Sequence, residues 1–161
     1  MTVQILQSGA VIENDYRYLL WRIWNPDAPQ VTFILLNPST ADEKTNDPTI
    51  RRCINFAKTW SFGGISVVNL FAYRSPFPAS LLRITDPIGP KCDGLLLQAA
   101  AQSGCLIAAW GNHGRLHGRD RQVTDLLIPY SDRLFCLGKN RNGSPKHPLY
   151  VRRGTERQRF P

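Results

Sequence analysis

The chain has 161 residues, 42% of them hydrophobic and 20% charged, with a formal net charge of +8. That length and balance suit one soluble globular domain with a single core. No apolar stretch approaches the length of a membrane span, so no membrane association is expected. Met1–Leu6 also lacks a charged segment followed by an apolar one, so a cytoplasmic location is the default.

In chain order, residues 2–24 read as a β-hairpin, with Ala10-Val-Ile and Tyr16–Trp24 flanking the turn cluster Glu13-Asn14-Asp15. Alternation puts Tyr16, Tyr18, Leu20, Arg22 and Trp24 on one face. Val31–Leu36 is a short apolar run bounded by Pro29 and by Asn37-Pro38. It reads as a strand buried on both faces, the kind found inside a parallel sheet. Asp47 is placed to cap a helix over about 48–60, with Pro48 at its first position. Gly63 and Gly64 end that helix. Ile65–Ala72 is a second buried strand with Tyr73–Pro78 as its exit loop. Asp93–Ser103 is a helix, Cys105–Trp110 a third strand, Arg119–Ile128 a helix and Arg133–Leu137 a fourth strand. Gly138–Pro148 is a long polar loop. Residues 152–161 carry four arginines and little core-forming material. They read as a basic tail, disordered or an arm, after a single domain over 1–151.

This alternation predicts an α/β fold, a three-layer αβα sandwich with a mostly parallel four-stranded sheet, plus the N-terminal β-hairpin. All four strand ends then lie on one side, where open α/β sheets bind ligands. Asn37-Pro38-Ser39-Thr40, Tyr73-Arg74-Ser75-Pro76, Gly111-Asn112-His113-Gly114 and the loop holding Lys146 and His147 converge there. Asp42, Glu43 and Asp47 are the nearby acids.

Each candidate has a plainer reading. Asn37 serves either as a turn residue before Pro38 or as a ligand contact. Asn69 lies in an apolar strand, where a buried amide needs partners for its donors and its acceptor. Those partners are backbone groups or a ligand. His147 is either a surface loop residue or part of the crevice. Cys53, Cys92, Cys105 and Cys136 include no CxxC pair, so neither a zinc ribbon nor a disulfide framework is expected. No P-loop, GxGxxG, GxSxG or HExxH motif is present, and no cofactor or metal is expected. Arginine heavily outnumbers lysine, which suits forked phosphate contacts and stacking on bases. The basic balance points to a polyanionic partner, DNA or a nucleotide.

Asn37-Pro-Ser-Thr-Ala-Asp42, Asp47-Pro-Thr-Ile-Arg-Arg52, Asn69-Leu-Phe-Ala-Tyr-Arg74, Ala109-Trp-Gly-Asn-His-Gly114 and His147-Pro-Leu-Tyr150 follow one another along the chain. Over about residues 16–151 they resemble a bacterial and phage domain family of unknown function. More remotely, the motif order is similar to the uracil-DNA glycosylase superfamily, whose members have a four-stranded parallel sheet between helices. Leu36-Asn37-Pro38-Ser39 is similar to the first motif of its mismatch-type branch, Gly-Ile-Asn-Pro-Gly, which holds or replaces a water-activating residue. Asn69 with Tyr73-Arg74-Ser75-Pro76 resembles a base-reading asparagine followed by Lys-Cys-Arg-Pro-Pro. His147-Pro148-Leu149 resembles the last motif, His-Pro-Ser, whose histidine stabilises the leaving base. Leu149 replaces the serine. Tyr73 stands where the iron–sulfur branch has cysteine, so no cluster is implied. No acid stands at position 37.

The resemblance implies a nucleobase-recognising protein, with N-glycosidic hydrolysis of DNA or nucleotides as the implied reaction. Asn37 would position water, with Asp42 or Asp47 assisting, and His147 would hydrogen-bond the departing base. Asn69 would read the base edge beside Pro38 and Ser39, and Phe71 or Tyr73 would stack on it. Arg74, Asn112, His113, Lys146 and the basic tail would hold phosphates. Two other readings stay open. One is a non-catalytic module that binds nucleic acid or a modified base. The other is a small-molecule enzyme acting on nucleosides or nucleotides.

Overall fold

β-branched and apolar runs set the strands, and their ends set the site. The computed structural model describes residues 4–161. Its strands are β1 (Gln7–Glu13), β2 (Tyr16–Ile23), β3 (Gln30–Leu35), β4 (Gly64–Asn69), β5 (Cys105–Ala108), β6 (Leu134–Cys136) and β7 (Gln158–Arg159). Its α-helices are α1 (Pro48–Thr59), α2 (Cys92–Gln102) and α3 (Arg119–Leu126). Asp47 caps α1 as its residue type and position predict. Its carboxylate accepts the Ile50 N–H at 2.9 Å, and Pro48 opens the first turn.

All seven strands form one sheet in the order β1-β2-β4-β3-β5-β6-β7. β3 runs parallel to β4 and β5, and β5 runs parallel to β6. The pairs β1–β2, β2–β4 and β6–β7 are antiparallel. The sheet is therefore mixed and seven-stranded, not the mostly parallel four-stranded sheet expected from the βαβ rhythm. The N-terminal hairpin does not stand apart but docks on β4, with Leu20 opposite Val67. The last residues add a strand at the far edge. Edge additions depend on pairing between distant segments, which local periodicity does not carry.

Helices cover both faces. α1 packs on Phe33, Leu35, Ile65, Val67 and Ile107. α2 and α3 pack on Ile34, Val68, Leu106, Ala108 and Leu134. Burial on both sides is why the inner strands read as unbroken apolar runs. β3 leads through α1 to β4 on one side. The chain then crosses back through α2 to β5 on the other side of β3. The loops leaving β3 and β5 diverge, which opens a crevice at their carboxyl ends.

The hairpin contains a bulge with consequences for the site. Val11 pairs with Leu19 but Ile12 pairs with Arg17, so Tyr18 is an extra residue in β2. An extra residue reverses the alternation beyond it. Leu20 and Trp24 keep to the α1 face. Tyr18 turns to the opposite face, against Ala72 and Cys92. Arg17 takes the α1 face and donates to the Ala41 carbonyl at 3.1 Å. Tyr16 and Tyr18 stack on each other at 5.6 Å, away from the face expected for them.

Residues 152–161 contribute to the core despite their composition. Phe160 is buried and meets Trp110 edge-on at 5.5 Å between ring centroids. The Arg157 guanidinium lies 5.1 Å from the Trp60 ring centroid. No helix among the described residues is long and apolar enough to cross a membrane. The four cysteines are buried free thiols.

Candidate functional site

A cavity of about 770 Å³ occupies the crevice at the carboxyl ends of β3 and β5. Leu35 to Ser39 line it from the β3 exit, and Ser75, Pro76 and Pro78 from the β4 exit. Trp110 to His113 line it from the β5 exit. Asn140, His147, Leu149 and Tyr150 come from the segment after β6. The start of α1 adds Asp47, Thr49 and Ile50, and β2 adds Arg17. The volume falls within the range of pockets that enclose small ligands.

Asn37 is fixed by its neighbours. Its Nδ2 donates to the Ser75 carbonyl at 2.9 Å and to the Pro38 carbonyl at 3.2 Å. The Ser75 N–H in turn donates to the Pro38 carbonyl at 2.8 Å, which ties the two strand-end loops together. Asn37 Oδ1 accepts no hydrogen bond among the described residues, so it is the amide's open acceptor.

His147 arrives on a folded-back loop. Lys139 and Pro145 form an isolated bridge, and the Lys146 N–H donates to the Gly138 carbonyl at 2.9 Å. The Gly111 N–H donates to the Pro145 carbonyl at 2.9 Å, which joins this loop to the β5 exit. Gly111 has φ +76°, and a β-carbon there would lie 3.6 Å from that of His147. Glycine suits this position through its left-handed backbone. His147 Nδ1 accepts the Leu149 N–H at 3.2 Å. Burial lowers the imidazole's pKa, an effect partly opposed by the Asp47 charge. A neutral ring whose Nδ1 accepts carries its proton on Nε2. His147 is therefore a neutral hydrogen-bond donor through Nε2–H.

Arg17 is the residue sequence reasoning missed. It is 1% exposed, and its Nε has no partner. Among the described residues it makes no ion pair; the only two are Lys91–Glu13 and Arg119–Asp93. Burial lowers its pKa to about 10, even though the Asp47 charge acts the other way. The Tyr16-Arg17-Tyr18 run gives no local sign of the bulge that aims Arg17 at the α1 face. The only signal in the sequence is an arginine inside an otherwise apolar and aromatic segment.

The structure brings Asn37, Pro38, Ser39, Asp47, Asn112, His113 and His147 to one cavity. Asn112 Oδ1 accepts from Asn140 Nδ2 at 3.0 Å, which links two of the converging loops. The other expected site residues lie outside the lining. Asn69 is buried with both amide atoms unpartnered. Phe71 is fully buried in the α2-side core and offers no face to a ligand. Tyr73 packs edge-on to Tyr16 at 6.3 Å. The Arg74 backbone is held by the Asp15 carbonyl at 2.8 Å. Asp42 closes its own turn, accepting from the N–H groups of Lys44 and Thr45. Those two bonds lower its pKa. Lys146 runs along Gly138. Phe71, Tyr73 and Arg74 share one reason: β4 ends at Asn69, so the residues after it belong to a loop braced against the hairpin.

A family model described as a protein of unknown function (DUF1643) matches residues 17–149. The chain belongs to the DUF1643 family. The matched segment holds every lining residue of the cavity except Tyr150. No curated protein and no solved structure matches this DUF1643 chain.

Proposed function

We propose that this protein recognises a nucleobase in the crevice between β3 and β5, and that N-glycosidic hydrolysis is the reaction the site suits. One observation carries the reading: His147 is a neutral donor through Nε2–H in the same cavity as the open Oδ1 of Asn37. Cleaving a glycosidic bond leaves negative charge on the departing base, and a preorganised donor stabilises developing charge. Asn37 Oδ1 is a place for a water proton or a base N–H. Asp47 is the carboxylate in the lining, with Oδ1 engaged at the helix cap. Tyr150, 83% exposed at the cavity's edge, is a surface on which a base can stack. The motif resemblance around Asn37-Pro38 and His147-Pro148 supports the same reading. So do the parallel inner strands with helices on both faces. Asn69 and Phe71 are not part of the proposed base seat.

The test uses the full chain with normal and uracil-containing oligonucleotides, single- and double-stranded, at two salt concentrations, followed by alkaline cleavage. The expected result is strand breakage at one base type. It falls about 100-fold in His147→Ala, the scale of losing one transition-state donor. Binding without breakage makes the protein a reader of bases. No binding of any oligonucleotide or nucleoside overturns the proposal.

A further inference from the structure

The cavity floor carries a feature that a neutral base does not require. Arg17 is 1% exposed, lines the cavity and leaves Nε without a partner. A guanidinium taken out of water costs free energy unless its charge and its N–H groups are matched. The protein matches one group only, through the Ala41 carbonyl. The other two buried arginines are treated differently. Arg22 donates to the carbonyls of Trp21, Asp42 and Thr45 and to Asn46 Oδ1. Arg119 donates to the Leu70 carbonyl at 2.7 Å and to Asp93 at 2.5 Å.

A second, independent feature faces the same space. The α1 cap Asp47 and the first-turn residues Thr49 and Ile50 line the cavity. A helix amino end carries partial positive charge and unsatisfied N–H groups. Here Pro48 has no N–H and Asp47 accepts that of Ile50, which leaves the Thr49 N–H. Arg74 and Arg22 add to the positive field at Arg17, and Asp47 is the acid that subtracts from it.

We propose that Arg17, with the amino end of α1, is a seat for an anionic group of the ligand, a terminal phosphate on a nucleotide. Arginine's planar fork fits phosphate oxygens and makes strong charge-assisted bonds to them. The assignment rests on the base-binding reading for the rest of the ligand, but the anion seat stands on Arg17 itself. The phosphate belongs either to a free mononucleotide or to the end of a strand.

Calorimetry on the full chain separates these cases. The probes are inorganic phosphate, ribose 5-phosphate, a panel of nucleosides, the matching 5′-monophosphates, and short oligonucleotides with and without a 5′-phosphate. A preferred monophosphate is expected to bind at least about tenfold tighter than its nucleoside. That ratio is expected to collapse to about twofold in Arg17→Gln, with part of it kept in Arg17→Lys, which retains charge but loses the fork. Equal affinity for nucleoside and monophosphate in the wild-type protein overturns the seat, whether or not Arg17→Gln folds. An unchanged ratio in Arg17→Gln also overturns it. A 5′-phosphate effect confined to oligonucleotides assigns the phosphate to strand ends; one confined to mononucleotides assigns it to a free ligand. Arg17-dependent binding of ribose 5-phosphate as tight as any nucleotide keeps the seat and removes the base reading. Nucleoside binding that gains nothing from phosphate keeps the base reading and removes the seat.

Discussion

Arg17 and Arg22 lie on the same strand, on the same face, and are equally buried. At the Arg22 end of β2 the protein answers the charge with carbonyls and thereby holds the 42–46 loop that leads into α1. At the Arg17 end it answers with a single carbonyl and a cavity. The difference separates a cation that builds the fold from one kept short of partners. Burial alone does not distinguish them; counting hydrogen bonds does.

The two arginines are expected to differ in what their removal costs. Arg22→Ala strands several carbonyls and is expected to destabilise by about 3 kcal/mol. For a chain of this size that is a fall in Tm of roughly 6–12 °C in a thermal melt. Asp47→Ala removes the α1 cap and is expected to cost about 1 kcal/mol in denaturant titration. Arg17→Met exchanges an under-satisfied buried cation for an apolar chain. Its expected change is within about 1 kcal/mol of zero, in either direction. A loss as large as that of Arg22→Ala would make Arg17 a structural residue as well.

The smallest effect is expected at His147, across the cavity from Arg17. Burial holds the His147 pKa in the folded protein below its ordinary value of 6.5. Below pH 6.5 the unfolded chain binds this proton and the folded protein does not. The contribution to stability is therefore complete above pH 6.5, declines as pH falls, and is lost below the folded-state value. His147→Gln is expected to flatten that part of a stability–pH curve. Superimposable curves for the two proteins would place the imidazole in water.

Much of this architecture was legible in the sequence because local signals agree there. Val31–Leu36 announces a doubly buried strand, and Asp47-Pro48 announces a capped helix that spans Pro48–Thr59. The four strand ends named the cavity's Asn37, Asn112, His113 and His147. The remainder depended on distant pairing. Phe160 is a lone aromatic in a basic tail, and nothing beside it says that β7 will pair with β6 and carry it onto Trp110. Phe71 and Tyr73 looked available because the second strand was expected to run on through Ala72. Its ladder ends at Asn69, and the segment beyond is tied to the hairpin. Arg17 was assigned to no face because alternation cannot reveal an inserted residue.

That inserted residue also bears on the edge of the sheet. β1 is an edge strand of the sheet, seven residues long. Unprotected edges template intermolecular pairing, and a bulge discourages it by adding local twist. Tyr18 does this near the turn of the hairpin, opposite the step from Val11 to Ile12. Deleting Tyr18 would restore an even ladder and flatten the edge, while leaving Ile12 opposite Arg17 and the guanidinium on the α1 face. Colloidal behaviour would then suffer while ligand affinity is kept, and light scattering and calorimetry on the same protein would read the two apart.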